Sequence, residues 1–264
     1  MSMKPMLCHT APGKPPVVPT GDQWIVEPKH DGIRLMVERR DDTMFVYGGR
    51  NHANHSGRYT VVEQHLAWLP GTILDGELVK VADVPGGHLY IVFDVLTVAS
   101  IDVRSEPWIV RRELLETLGE KLEGPVVVNS YAPASQAQYE EWVEDGHEGA
   151  VAKRIDSRYQ SGKRSWDWQK CKPEYTAEAK IVSFEMGRGK SNGHVVSSMN
   201  VQMAESGAMT SVGVSGDVAK QALADPQSLI GRLVEIKHYG IFEDTGIPRH
   251  PGFVRLRPDL EAQR

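Results

Sequence analysis

The sequence predicts an α+β fold in two parts, with antiparallel sheets flanked by helices over residues 1–173 and a small β-barrel over residues 174–264. Strand-like runs dominate the first part, and helix-like segments lie between them. After Pro173 the pattern changes to short strands separated by Gly and Ser turns. The chain has 264 residues, of which 40% are hydrophobic, so each part can bury a core.

The first part opens with an extended, proline-rich lead-in over residues 1–22, which contain five prolines. Apolar runs then predict strands at 23–26, 35–38, 43–47, 73–81 and 89–96. Helical spacing of apolar residues, with Gly or Pro at the boundaries, predicts helices at 60–69, 108–122 and 134–144.

The second part has a different organisation. Its apolar runs predict strands at 177–185, 194–204, 208–214, 233–238 and 253–257, and one helix at 218–223. Five strands and one helix in a segment of this length suit a closed barrel of the OB type.

Net charge, cysteine spacing and the lack of long apolar runs limit the classes of protein to which this chain can belong. A net charge of −5 is compatible with nucleic-acid binding, because residues 153–172 carry seven Lys or Arg and only two acids. Cys8 and Cys171 lack metal-ligand or redox spacing, so we expect them to be reduced in a cytoplasmic protein. The first residues lack a signal-peptide pattern, and no apolar run approaches the ~18 residues of a membrane span. We therefore expect no membrane partner, and we also expect a monomer.

The stretch EPKHDGIR at residues 27–34 crowds charged groups around Lys29. A lysine amine is a nucleophile only when it is unprotonated, and its reference pKa of ~10.4 makes that state rare at neutral pH. Burial and neighbouring cations lower that pKa, so Lys29 at a pocket wall could attack a phosphorus centre. A surface turn with a salt bridge between Lys29 and Asp31 is the alternative.

Later stretches repeat the pairing of apolar strands with charged residues. They are LDGELV at 74–79, YIVFDVL at 90–96, HEGAVAKR at 147–154 and WDWQKCKP at 166–173. Lys170 and Lys172 lie two apart, so on a strand they face the same side. Acids and lysines on neighbouring strands predict a cleft in which carboxylates hold Mg²⁺ and lysines neutralise phosphate oxygens.

This ordered set resembles the covalent nucleotidyltransferases, and most closely the ATP-dependent DNA ligases. The family's signature around an adenylated lysine matches residues 29–34, and its later motifs match 74–77, 90–96, 148–153, 170–172 and 249–259 in order. The resemblance implies a nucleotidyltransferase domain followed by an OB-fold domain. It also implies a minimal two-domain form, since only 28 residues precede Lys29.

The resemblance implies a role for each matched residue at the nucleotide. Lys29 would take AMP from ATP as a phosphoramide, Glu27 would read the adenine amino group, and Phe93 would stack on the ring. Arg34 would touch the ribose. The remaining nucleotide contacts would be Lys170 and Lys172 at the α-phosphate, Glu77, and Arg257 at the departing pyrophosphate.

The resemblance further implies that Glu77 and Glu148 bind the metal, which would be Mg²⁺ with Mn²⁺ as an alternative. The partner would be nicked duplex DNA, in DNA repair or replication, with Arg50 approaching the 5′-phosphate of the nick. Gly187 to Ser191 reads as a basic turn of the barrel, which leaves Arg188 and Lys190 available for a DNA backbone.

Other functions remain open. An RNA ligase or an mRNA capping guanylyltransferase would share the chemistry, although the EGAVAK form and Glu27 favour ATP and ligation. A non-catalytic nucleic-acid-binding module is the second alternative. On residues alone, Phe93 could be a core residue and Asp94 a buried structural acid.

Overall fold

The computed structural model describes residues 3–48, 52–188, 194–242 and 245–261. The chain divides into two compact units, Met1–Lys172 and Pro173–Arg264. The division falls one residue before the boundary expected from the sequence. Each unit has its own hydrophobic core.

Two sheets form the first unit. In spatial order the first sheet contains β1 (Leu7–Thr10), β12 (Arg164–Cys171), β11 (Ala150–Arg154), β2 (Trp24–Pro28) and β10 (Ala132–Pro133). Its pairs are antiparallel except for β1, which runs parallel to β12.

The second sheet runs in the order β5 (Ala53–Asn54), β4 (Thr43–Gly48), β3 (Ile33–Arg40), β6 (Thr72–Lys80), β7 (His88–Val98) and β8 (Ile101–Asp102), and β9 (Val126–Val128) pairs with β7. The strand β7 reads as a continuous apolar run because it lies between two paired strands, β6 and β9, and packs against a helix.

A small apolar cluster contains residues from both sheets: Met6, Met36, Leu96, Tyr159 and Trp168, with Cys8 and Phe93 packed against it. The turn between β2 and β3 brings the second sheet close to the first. Gly32 lies in this turn, and a Cβ there would overlap the backbone carbonyl of Leu78. Glycine therefore permits the close approach of β3 to β6 directly after Lys29.

Helices α1 (Thr60–His65), α2 (Trp108–Gly119) and α3 (Gln136–Glu144) complete the first unit. Helix α2 follows Pro107 and buries Trp108 and Leu115, and α2 packs along β7. Helix α3 begins after Ser135, whose side chain accepts a hydrogen bond from the backbone N–H of Gln138 at 3.1 Å. These are the flanking helices expected from the sequence.

The second unit is a closed barrel of β13 (Tyr175–Met186), β14 (Val196–Met203), β15 (Met209–Gly213), β17 (Gly252–Leu256) and β16 (Leu233–His238). Helix α4 (Gly216–Ala224) lies between β15 and β16 in sequence, and the short helix α5 (Pro258–Glu261) follows β17. The α+β fold with an OB-like barrel is therefore confirmed.

Three expectations were wrong in detail. The lead-in contains the strand β1, because its residues gain backbone partners from β12, which is distant in sequence. Helices α1 and α2 end earlier than expected, at His65 and Gly119. Residues 66–68 form turns after α1, and Pro70 disfavours the α conformation of Leu69, so the helix does not reach the expected end at residue 69. Among the described residues, no helix is long and apolar enough to cross a membrane.

Candidate active site

A cleft of about 280 Å³ lies in the first unit. Lys29, Glu27, Arg34, Glu77 and Phe93 all line the cleft, although they come from four different strands or strand ends. Its lining also includes Cys8, Pro28, His30, Asn129, Val151, Lys153 and Trp168. Five of the residues predicted at the nucleotide therefore meet in one place.

Lys29 lies immediately after β2 and keeps the pairing of that strand with the segment before β11. Its backbone N–H donates to the carbonyl of Gly149 at 2.9 Å, and the N–H of Glu148 donates to the carbonyl of Lys29 at 3.0 Å. Gly149 has φ +129°, and a Cβ there would overlap the carbonyl oxygen of Cys171. A glycine is thus required to place Glu148 opposite Lys29.

The carboxylate of Glu148 bridges two ammonium groups. Its Oε2 forms an ion pair with Lys29 Nζ and its Oε1 with Lys172 Nζ. Burial would raise the pKa of Glu148, but the charges of Lys29 and Lys172 prevail and lower it. Lys29 therefore lines the cleft and is ion-paired there with Glu148.

Lys170 and Lys172 bring positive charge to one side of this arrangement. Lys170 is on β12, whereas Lys172 lies one residue beyond the strand's last residue, Cys171. Burial lowers the pKa of Lys170, and the neighbouring charge of Lys172 lowers it further.

A buried ion pair lies at another part of the cleft wall. Glu27 Oε2 is 2.8 Å from Lys153 Nζ, and the two side chains are 2% and 1% exposed. Burial raises the pKa of Glu27 against the opposing charge of Lys153. The second oxygen, Oε1, is buried and has no hydrogen-bond partner among the described residues. An unpaired acceptor in a cleft wall is suited to a ligand that brings an N–H group.

Phe93 occupies a β-bulge. Asp75 pairs with Asp94 and Gly76 pairs with Val92, so Phe93 is the extra residue on β7. A bulge re-aims a side chain, and here Phe93 joins the cleft lining instead of remaining in the alternation of β7. Lys153 Nζ lies 4.8 Å from its ring centroid.

Arg34 is held rigidly at the cleft wall. Its guanidinium donates to both carboxylate oxygens of Asp75, at 2.9 and 2.6 Å, and to the backbone carbonyl of Met6 at 2.6 Å. Tyr159 donates to the same carboxylate at 2.5 Å. These contacts fix the arginine beside Phe93, with 5.2 Å between the guanidinium carbon and the ring centroid.

Asp94 has a structural partner. Arg111 donates two hydrogen bonds to its carboxylate, each 2.8 Å long, and both side chains are buried. The reading of Asp94 as a buried, hydrogen-bonded acid is the one that this geometry supports.

Glu77 and Glu148 are the candidate metal ligands. Burial raises the pKa of Glu77 to about 7, against the opposing charges of Lys29 and Arg34. The negative charges of Asp75 and Glu148 contribute to the same rise. In the part of the chain that is described, no group of three ligand-type side chains could enclose a metal ion. This donor set fits Mg²⁺, which binds through one or two carboxylates together with phosphates and waters.

The substitution Glu77→Gln should change how stability depends on pH. An unfolded glutamate titrates near pH 4.5, whereas Glu77 titrates near 7 in the fold. The folded state therefore holds the proton more tightly, and wild-type stability falls as pH rises through this window. Glutamine removes that fall, with an expected gain on the order of 3 kcal/mol at pH 8 relative to pH 4.5.

Urea unfolding midpoints measured from pH 4.5 to 8 test this prediction. The control is Glu235→Gln in the barrel, where Arg255 lowers the pKa of the carboxyl and the expected sign is opposite. Parallel curves for wild type and Glu77→Gln would contradict the prediction.

Of the remaining predicted residues, two belong to the second unit and two fall outside the described residues. Arg257, in the second unit, forms ion pairs with Glu178 and, at 2.8 Å, with Asp259. Arg188 is exposed in the second unit. Arg50 and Lys190 fall outside the described residues. The roles of all four stay predictions.

Sequence reasoning missed several lining residues. Lys153 and Trp168 line the cleft and lie inside the charged stretches HEGAVAKR and WDWQKCKP, but the sequence pattern did not indicate a role for either residue. Cys8 enters through β1, which the proline-rich lead-in concealed. Asn129 follows the apolar run of β9, and a single polar residue after a strand carries no distinctive signal.

Comparisons with known proteins place this geometry in context. Residues 86–172 match the family model described as the ATP dependent DNA ligase domain. A probable DNA ligase of Beutenbergia cavernae is 30% identical over 224 residues, which are 73% of this chain and 43% of that protein. A probable DNA ligase of Streptomyces coelicolor is 27% identical, over 98% of this chain and 54% of that protein. The chain thus spans about half the length of these curated relatives.

A solved structure of a Lig E DNA ligase is similar over 97% of this chain and all of that chain (100%), with a TM-score of 0.72 and 23% identity. This similarity shows a shared fold.

Proposed function

Because the chain carries an ATP-dependent DNA ligase nucleotidyltransferase domain, we propose that it is an ATP-dependent DNA ligase. It would seal 5′-phosphate/3′-hydroxyl nicks in duplex DNA through a lysyl-AMP intermediate. One observation carries the proposal: Lys29 lines the same cleft as Glu27 and Glu77 and is ion-paired with Glu148. The proposed nucleophile, the proposed base-reading acceptor and the candidate metal ligands therefore belong to one group of neighbouring residues.

In the first step Lys29 Nζ would attack the α-phosphorus of ATP. The ammonium first releases a proton to solvent; the P–N bond then forms and the P–O bond to the leaving pyrophosphate breaks. Leaving the ion pair with Glu148 is part of this activation. Lys170 and Lys172 would offset charge on the phosphate oxygens.

A divalent ion held by Glu77 and Glu148 would supply further charge neutralisation, and Mg²⁺ or Mn²⁺ fits their oxygen donors. At the other end of the nucleotide, the unpaired Oε1 of Glu27 would accept the adenine amino group. Phe93 would stack on the base, and the rigid Arg34 would contact the ribose.

In the second step AMP would pass to the 5′-phosphate of the nick, which converts a poor leaving group into a good one. The 3′-hydroxyl would then attack and AMP would leave. Positioning and electrostatics do most of the work in such phosphoryl transfers. Arg50, Arg188 and Lys190 are proposed contacts for the DNA.

Intact-mass spectrometry tests the first step. Incubation with ATP and Mg²⁺ should add the mass of one AMP to the protein, and pyrophosphate should remove it. A protein whose mass never changes in either direction would contradict the proposal and favour a non-catalytic binding module.

Substrate comparison separates the remaining alternatives. We expect labelling by ATP and not by GTP, and sealing of nicked DNA in preference to nicked RNA. Labelling by GTP would indicate a capping guanylyltransferase, and preferred sealing of RNA would indicate an RNA ligase.

A further inference from the structure

Asn129 lies between β9 and β10 and has no assigned role in the chemistry above. Its side chain is 4% exposed, yet it lines the cleft. It contacts three residues more than 90 positions away in sequence: His30, Glu27 and Pro28. The two residues before Lys29 and the one residue after it are therefore all hydrogen-bonded to the side-chain amide of Asn129.

The orientation of this amide follows from its partners. Its Nδ2 donates to Glu27 Oε2 and to the carbonyl of Pro28, each at 3.3 Å, and both of these groups can only accept. Its Oδ1 is then the atom that faces His30 Nε2, at 2.8 Å. An amide oxygen can only accept, so His30 carries a proton on Nε2. The backbone N–H of Asn129 donates to the carbonyl of Val92 at 2.7 Å, which anchors the residue on the second sheet.

The two carboxylate oxygens of Glu27 differ in their hydrogen-bond partners. Asn129 and Lys153 both donate to Oε2. Oε1 receives no hydrogen bond from any described residue. Two donors on one oxygen hold the carboxylate plane in place, and the other oxygen stays available as an acceptor.

We propose that Asn129 is a positioning residue that aims Oε1 of Glu27 at the nucleotide base and thereby sets selectivity for adenine over guanine. The inference rests on the nucleotide site proposed above. Adenine presents an amino donor at position 6, where guanine presents an oxygen acceptor. A fixed acceptor oxygen can accept a hydrogen bond from the adenine amino group and repels the guanine oxygen. A carboxylate that is free to rotate would discriminate less between the two bases.

Two variants separate the donor and acceptor functions of the amide. Asn129→Asp keeps an acceptor for His30 but loses the donors to Glu27 and Pro28. Asn129→Leu is close in size and loses both. Asn200→Leu is the matched control, because this part-buried asparagine of the barrel donates to Ser183 and Glu185 in the second unit.

The full chain, freed of AMP by pyrophosphate, is titrated with the α,β-methylene analogues of ATP and GTP, which bind without transfer to Lys29. We expect both Asn129 variants to lose affinity for the adenine analogue by roughly tenfold or more, with a smaller change for the guanine analogue. The ratio of the two affinities therefore falls, while Asn200→Leu leaves it unchanged. Nitrogen-15 shifts of His30 should show the Nε2–H form in wild type and Asn129→Asp, and its loss in Asn129→Leu.

A purely structural role would lower the melting temperature without moving the affinity ratio. An unchanged ratio in a folded Asn129→Asp protein overturns the inference, and this variant decides the matter even if the leucine variant does not fold. If the wild type binds neither analogue, the proposed function fails as well. If it binds both and only the ratio is insensitive to Asn129, the proposed function stands and this inference alone is rejected.

Discussion

A chain in which Lys29 is replaced by arginine is expected to transfer AMP to itself about 10³-fold more slowly or not at all. Arginine keeps a positive charge that can pair with Glu148, so the local ion pair is preserved. A guanidinium does not lose its proton in proteins, however, and cannot present a free electron pair to phosphorus. The variant therefore removes the nucleophile while retaining the cation.

Labelling with α-³²P ATP, followed by acid treatment, measures this effect directly. Lys180→Arg is the matched control, since Lys180 is an exposed lysine of the barrel strand β13. Lys172→Arg should label more slowly than wild type but still label, because its charge and not its nucleophilicity is proposed to act. Acid-labile label of normal intensity on the Lys29→Arg protein would show that the nucleophile lies elsewhere.

The second large effect concerns the buried pair of Glu27 and Lys153. Replacing Lys153 by methionine leaves the carboxylate of Glu27 without its ammonium partner in a site that is 2% exposed. Breaking a buried pair from one side typically costs about 3–5 kcal/mol of unfolding free energy. Because burial already raises the pKa of Glu27, we expect the variant to respond by protonating this residue.

Urea unfolding compares Lys153→Met with the double variant Glu27→Gln/Lys153→Met. The double variant should recover much of the lost stability, since a neutral amide replaces the stranded charge, but it should not recover adenine binding. Lys220→Met is the control: Lys220 and its partner Asp217 are 81% and 100% exposed, and such pairs contribute at most about 1 kcal/mol. Equal stabilities for Lys153→Met and Lys220→Met would contradict the prediction.

Local sequence patterns predicted most of the regular elements. The strands β6 and β7 follow from apolar runs, and α2 follows from helical spacing after Pro107. The strand β1 was missed because a four-residue segment among prolines has no periodicity of its own. Its hydrogen bonds come from β12, more than 150 residues later.

At the candidate site, the residues named from the sequence were those that carry an unusual side chain at a strand end or turn. Lys29, Glu77 and Glu148 each stand next to a glycine-containing segment, which made them conspicuous. Asn129 and Lys153 could not be given roles, because their importance lies in contacts with Glu27, which is more than a hundred positions away in sequence from each.

The sequence by itself indicated most of the strands and helices and the set of acids and lysines, because these depend on short-range spacing and composition. Only the tertiary structure decided which oxygen of Glu27 stays unpaired, that Glu148 is shared by Lys29 and Lys172, and that a bulge turns Phe93 into the cleft. Hydrogen bonds and ion pairs require their atoms to be placed to within a few tenths of an ångström, and remote residues reach such positions only after their strands have paired.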